Sequence, residues 1–379
     1  MRKKNPFTIV VLLTALYAAA GMNGHGQPGG VQPKLAAHKD PAFTGLFRRT
    51  SGVVASDGGF SVPLSDGRVL WLFGDSHLND FDVRTGTIPC LFQMRNAAML
   101  QDTNDWQHPR TLAGAGPGFK SFFKNGTNEN LWFWPVAGFQ SGRVVYVYLS
   151  ALRKRGGGGG AFDFQSVGQD SLAKLKFPEM EIAEYLPLLS FAGIDFGCGF
   201  VMADGGKFVY AFGSKRDKTS LELYVARFKI ADPDHYWTFW DGNHWDPNVA
   251  RATVLSKDVA TSMSVCRVKN KFVSLTSQFS IACDQGREIY SATGSHPTGP
   301  FSRRRTLFEL DDALDGHYPF FYLPVGHPEF LDEKNELLVT YCINGYAPCI
   351  PTCVNGRSNP DHYRPKAIRV PLKLIDSEW

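Results

Sequence analysis

From about residue 41 onward, apolar and aromatic residues come in short blocks broken by tight polar turns, not in long helical stripes. Five blocks repeat one pattern: an apolar strand, a turn, then an aromatic-rich strand. They are GFSVPLSDGRVLWLFGDS (59–76), FWPVAGFQSGRVVYVYLSA (133–151), GFVMADGGKFVYAFGSK (199–215), SVCRVKNKFVSLTSQ (264–278) and PEFLDEKNELLVTYCIN (328–344). Asp66-Gly67, Ser141-Gly142, Gly205-Gly206 and Lys269-Asn270 supply residues that tolerate the positive φ of a hairpin turn. Flanks rich in Val, Phe, Tyr and Trp suit pleated, half-buried strands. Each block therefore predicts a β-hairpin.

The turns centre on Gly67, Gly142, Gly206, Asn270 and Asn335, at intervals of 75, 64, 64 and 65 residues. Further strands are expected at 94–102, 221–230 and 287–295. Four strands per repeat of this length is the size of a large propeller blade. The expected fold is all-β, a five-bladed β-propeller over 41–379. The strand at 367–375, with Ile368, Val370, Leu372 and Leu374 alternating, is expected to close the ring. Pro-Asp-His-Tyr at 233–236 and again at 360–363 fits a spacing of two repeats. Two stacked β-sandwiches would not explain the even spacing.

Composition adds the compartment. With 43 % apolar and 20 % charged residues, the chain can bury a large core. Arg2-Lys3-Lys4, the fourteen-residue apolar run 7–20 and its closing alanines read as a secretory signal peptide over 1–20. That run is shorter than the ~20 residues of a membrane span. A flexible lead-in is expected over 21–40, and a secreted or periplasmic protein follows. Three of the four net positive charges sit in the leader, which leaves the mature chain near +1. Such a balance argues against nucleic-acid and membrane partners. A monomer is expected.

An exported chain can oxidise its seven cysteines. Cys349 and Cys353 are the expected local pair, while Cys90, Cys198 and Cys342 read as small buried hydrophobes. No spacing calls for zinc and no cofactor is required, though a structural or channel cation such as calcium has room. The glycine run 156–160 reads as a surface insertion, because it lacks the setting of a phosphate loop. Arg303-Arg304-Arg305 reads as a solvated face.

In a propeller the innermost strands line a central channel, so polar groups at their ends are the candidates for chemistry. Asp57 and Asp75 are nearly equidistant from the turn at Asp66-Gly67, and a hairpin brings such positions together. Two neighbouring carboxylates push their pKa values apart, which separates acid from base. Asp195 holds in the third unit the place that Asp57 holds in the first. His327 and Glu329 open the fifth inner strand and are expected to shape a subsite with Asp195, or to hold a cation with it. Arg95, Asn96 and Asn344 fall at strand ends. Trp132, Trp134, Trp237, Trp240 and Trp245 are the candidates for stacking on sugar rings.

The run SDGGFSVPLSDGRVLWLFGDS at 56–76 resembles the opening blade of secreted bacterial five-bladed propellers catalogued as domains of unknown function. Members related to them are endo-D-arabinanases. HPEF at 327–330 with LLVTYCIN at 337–344 resembles the closing blade of the same group. Arabinanase, xylosidase and levansucrase propellers are more distantly similar. The resemblance implies a secreted glycoside hydrolase with a carbohydrate substrate, and it places the two catalytic carboxylates of the arabinan-degrading relatives on Asp57 and Asp75. The three-blade carboxylate set of arabinanases is not reproduced: no acid occurs near Ser264 or in Trp134-Pro135-Val136, although Glu129 precedes the latter. The other reading of the same funnel is a carbohydrate-binding propeller without catalysis, or a cell-surface interaction scaffold.

Overall fold

The computed structural model describes residues 35–113, 121–126, 130–156 and 163–379. The segment expected to be a signal peptide, most of the expected lead-in, Glu129 and most of the glycine run lie outside the described residues. The rest is built almost wholly of strands, with short helical turns between them.

Five antiparallel blades follow one another along the chain, each starting at the channel and stepping outward. Blade one is Val53–Pro63, Val69–Leu78, Ala97–Gln101 and Arg110–Leu112. Blade two is Leu131–Ser141, Val144–Lys154, Ser171–Lys176 and Glu181–Pro187, with Phe164–Ser166 at its edge. Blade three is Asp195–Ala203, Phe208–Asp217, Ser220–Lys229 and Thr238–Trp240. Blade four is Ser256–Val268, Lys271–Gln278, Glu288–Gly294 and Arg305–Glu309. Blade five is Phe320–His327, Glu336–Asn344, Lys366–Pro371 and, from the other end of the chain, His38–Lys39. Each inner strand lies beside the next, and the fifth lies against the first. The fold is a five-bladed β-propeller.

Strand periodicity explains the packing. Side chains alternate faces along a strand, so a strand between two neighbouring blades is apolar on both sides. In blade one, Leu70 and Leu72 face Val145, Val147 and Leu175 of blade two. Trp71 and Phe73, which alternate with them in sequence, face Leu338 and Ala367 of blade five, Phe43 of the helix Pro41–Leu46 and Phe47 just after it. The other three seams repeat the scheme, for example Tyr148 on Phe228, Phe212 on Val265, and Leu275 on Val339.

All five predicted turns connect a blade's first two strands. Other expectations need correction. The closing strand stops at Pro371, and Leu372–Ile375 turns helical. The outermost strand of blade five is instead His38–Lys39, which takes the end of the lead-in into the ring. The two Pro-Asp-His-Tyr copies do not mark equivalent positions. Residues 360–363 form a helical turn with Tyr363 buried, whereas Tyr236 is exposed at positive φ. The disulfides are Cys90–Cys353 and Cys283–Cys349, not a local pair. They are long-range because propeller closure brings the loops of blades one, four and five together. Cys90 is therefore half of a cross-link, not a free buried hydrophobe.

Candidate active site

A cavity of about 1120 Å³ opens where the inner strands begin, and Asp57, Asp75, Asp195, Arg95, Trp134 and Asn344 all line it. Asp57 sits at a bulge in the first inner strand, where the register slips between Ser56 and Gly58. Gly58 takes φ +93° there and packs on the backbone of Phe73 and Gly74. A side chain at Gly74 would collide with the Asp57 carboxylate. Both glycines are thus required to let the carboxylate fold back over the neighbouring strand. The buried Cys342 thiol props the bulge, 3.2 Å from both the N–H and the carbonyl oxygen of Gly58. Asp195 marks a matching irregularity in the third inner strand, between Asp195 and Gly199.

Asp57 accepts a hydrogen bond of 3.0 Å from Tyr322 Oη, a second from the Tyr363 hydroxyl, and one from the backbone N–H of Asp75. Burial raises its pKa to about 6, and these three donors hold it from rising further. Asp75 is only 6 % exposed. Burial, then the charge of Asp57, push its pKa up to about 8. Arg95, 3.5 Å from Asp75 Oδ1, and the Trp134 indole N–H, 3.4 Å from the same oxygen, oppose that rise. Arg95 is itself held over the Trp132 ring, 4.2 Å from its centroid. The pair is therefore unequal: near neutral pH Asp57 is the better base and Asp75 the better proton donor.

Asp195 accepts from Ser150 Oγ at 3.1 and 3.0 Å and from Gly197 N at 3.0 Å. Its pKa is raised to about 7 by desolvation and by the buried Asp170 behind it. Its side chain remains open to the cavity.

Three predicted site residues lie elsewhere. His327 ends the fifth inner strand instead of opening it; five residues beyond Tyr322 at ~3.3 Å each, it is about 16 Å along the channel. It is fully buried against Trp71, with Nδ1 2.6 Å from Ser61 Oγ and Nε2 2.8 Å from Thr340 Oγ1. Burial lowers its pKa to about 3, so the imidazole is neutral. Glu329 accepts from the same Ser61 hydroxyl. A subsite or cation site joining these two to Asp195 is not assembled. Asn96 is also internal, its amide bonded to Phe123 and Phe133 backbone groups at 2.8–2.9 Å. Among the tryptophans, Trp134 lines the cavity; Trp237 is core, and Trp240 and Trp245 pack together on blade three. The group with metal-ligand geometry among the described residues is Asp232, Asp234 and His235, none of which lines the cavity.

Sequence reasoning missed Tyr322 and Tyr363. Neither stands beside an acid in the sequence; ring closure brings them to Asp57 across 265 and 306 positions. No helix of the described residues is long and apolar enough to cross a membrane.

Comparison with solved structures finds a Bacteroides ovatus protein whose assignment as a hydrolase is provisional, at TM-score 0.71 and 18 % identity, with 90 % of this chain and 92 % of that chain covered. A GH43_1 enzyme from Xanthomonas citri, solved with xylose, superposes at TM-score 0.45 and 14 % identity over 86 % of this chain and 93 % of that one. A xylan β-1,4-xylosidase from Bacillus halodurans superposes at TM-score 0.46 and 11 % identity over 88 % and 54 %. Comparison with curated proteins finds no match. The family model of a domain of unknown function, DUF5005, matches residues 40–379, and the chain belongs to that family.

Proposed function

We propose that the protein is an exported glycoside hydrolase in which Asp75 donates a proton to the leaving glycosidic oxygen and Asp57 acts as nucleophile or base. The carrying observation is the adjacent pair of unequal carboxylates in one cavity: Asp75 is held protonated by burial, and Asp57 is clasped by two phenols and a backbone N–H. Glycosidases need those two protonation states together. Trp134, packed edge-on against Phe164 at 4.8 Å, offers an aromatic surface for a sugar ring beside them. The likeness of 56–76 to the opening blade of endo-D-arabinanase relatives favours an arabinan-like furanoside. The leader and the two long-range disulfides favour export to an oxidising compartment.

The test is turnover of a panel of plant, fungal and bacterial polysaccharides. Asp57→Asn and Asp75→Asn should each lower the rate on the confirmed substrate by about 10²–10⁴-fold, the size of a lost general acid or base, with no loss of melting temperature. Wild-type turnover in both variants would overturn the assignment. Binding without hydrolysis across the panel would make the protein a carbohydrate-binding propeller.

A further inference from the structure

The charges lining the cavity are unevenly satisfied. On the blade-one side, Asp57 is clasped by two tyrosines and Asp75 is paired with Arg95. Asp195 is held by Ser150 and Gly197. The cations of blades two and three are not matched in this way. Arg216 donates from Nη1 to Ala260 O at 3.2 Å and from Nη2 to Thr261 O at 2.6 Å. Two main-chain carbonyls thus fix a guanidinium on the cavity wall, and partial desolvation lowers its pKa. Among the described residues no carboxylate pairs with it. The same is true of Lys218, beyond it on the hairpin turn, and of Lys154, which ends the second strand of blade two; both line the cavity and are exposed.

Some cations outside the cavity are paired with carboxylates. Lys257 meets Asp217 and Glu222 at 3.1 Å, Lys271 meets Asp376 and Glu378 at 2.5 Å, and Arg304 meets Asp258. Asp217, the residue between Arg216 and Lys218, is spent on Lys257. Arg216, like the two lysines, is exposed, so all three are open to a ligand in the cavity. Phe164 pairs across the strand ladder with Lys154 and packs on Trp134, so aromatic surface lies beside this cationic side.

We propose that Arg216, Lys218 and Lys154 form a subsite for an acidic substituent, a carboxylate, sulfate or phosphate, on the glycan that meets Asp57 and Asp75. This rests on the glycan reading of the cavity and narrows it to acidic chains. Arginine and lysine differ in what they offer such a group: Arg216 is a fixed fork, whereas the two lysines are mobile point charges that can follow its position.

The test uses the full chain carrying Asp57→Asn, so that bound glycans persist, on an array of neutral, carboxylated, sulfated and phosphorylated oligosaccharides. The expected result is a bound set dominated by one acidic class, weakened by added salt. Lys154→Gln with Lys218→Gln should weaken the best ligand by about tenfold or more, as losing charge-assisted contacts does. Arg216→Gln should weaken it further, with a melting curve recorded because Arg216 also ties down two carbonyls. A bound set that is neutral or empty, or an acidic preference untouched by the lysine double variant, overturns the proposal. Hydrolysis of a neutral glycan without acidic preference would remove this subsite and leave the catalytic pair standing. Acidic binding with no turnover by the unaltered enzyme would do the reverse.

Discussion

Tyr322 Oη donates to Asp57 Oδ2 at 3.0 Å across the seam where the fifth blade meets the first. The bond favours the charged carboxylate, and Tyr363 adds a second of the same kind. Tyr322→Phe keeps the ring and deletes the donor. A hydrogen bond to a charged group contributes about 1.5–3 kcal/mol, and 1.36 kcal/mol is one pKa unit. The acid limb of the kcat/KM profile should therefore move up by roughly one to two pH units, with KM little changed. An unmoved limb would show that Asp57 is not the ionised partner.

Under the proposed hydrolase reading, the intact protein should give a bell-shaped profile. Asp57 must lose its proton, near pH 6, and Asp75 must keep its own, up to about pH 8. The two apparent values belong to the pair as a unit. Activity that continues to climb well above pH 8 would exclude Asp75 as the proton donor.

The same burial has a cost in stability. Unfolded, Asp75 titrates near 3.8; folded, near 8. Below pH 3.8 both states hold the proton and no penalty exists. Between the two values only the native state holds it, so stability falls as pH rises, and the full penalty is present above about 8. Asp75→Asn removes the titrating group. It should match the unaltered protein's melting temperature at pH 3 and exceed it at pH 8–9 by a few degrees, on the order of 2 kcal/mol after allowance for Arg95 and cavity water. A variant that melts lower at pH 8–9 would contradict the burial penalty.

At the far end of the channel, Ser61 bridges His327 and Glu329. Ser61→Ala leaves two buried polar groups without that partner, at a cost of about 1–3 kcal/mol. Denaturant melts should register the loss while turnover per folded molecule stays unchanged. A selective fall in kcat would return His327 and Glu329 to the active site.

How far the sequence could be read follows from what sets each feature. Asp66-Gly67 and Ser141-Gly142 fix hairpins through local φ preferences, so repeat number and turn positions were legible. Asp57 and Asp75 were legible because a hairpin's pairing is itself local. His327 misled because strand direction relative to the channel depends on where the blade begins, and Phe320 lies upstream of the motif that drew attention. Tyr363, Cys353 and His38–Lys39 depend on ring closure between distant segments, to which period and propensity are blind. Asn96 looked like a ligand at a strand end and is instead consumed by two backbone neighbours.

Ring closure also gives the disulfides a role at the site. Cys353 ties the segment after Asn344 to Cys90 of blade one, and Cys349 ties it to Cys283 of blade four. Arg357 and Ser358 pair with Pro89 and Ile88, and the Arg357 guanidinium donates to Thr87 O at 2.7 Å and Thr87 Oγ1 at 2.9 Å. This strap runs directly into Pro360–Tyr363, whose last residue bonds to Asp57. Bridges that close long loops typically contribute 2–4 kcal/mol, about 2–5 kcal/mol when one is removed. Cys90→Ser with Cys353→Ser should lower the melting temperature by that order. It should also raise the apparent pKa of the acid limb, because a looser Tyr363 supports the Asp57 charge less. Adding Tyr363→Phe to the double variant should then move the limb little further, since the two changes act on one contact. Full additivity of the two shifts would mean that the strap stabilises the fold without positioning Tyr363.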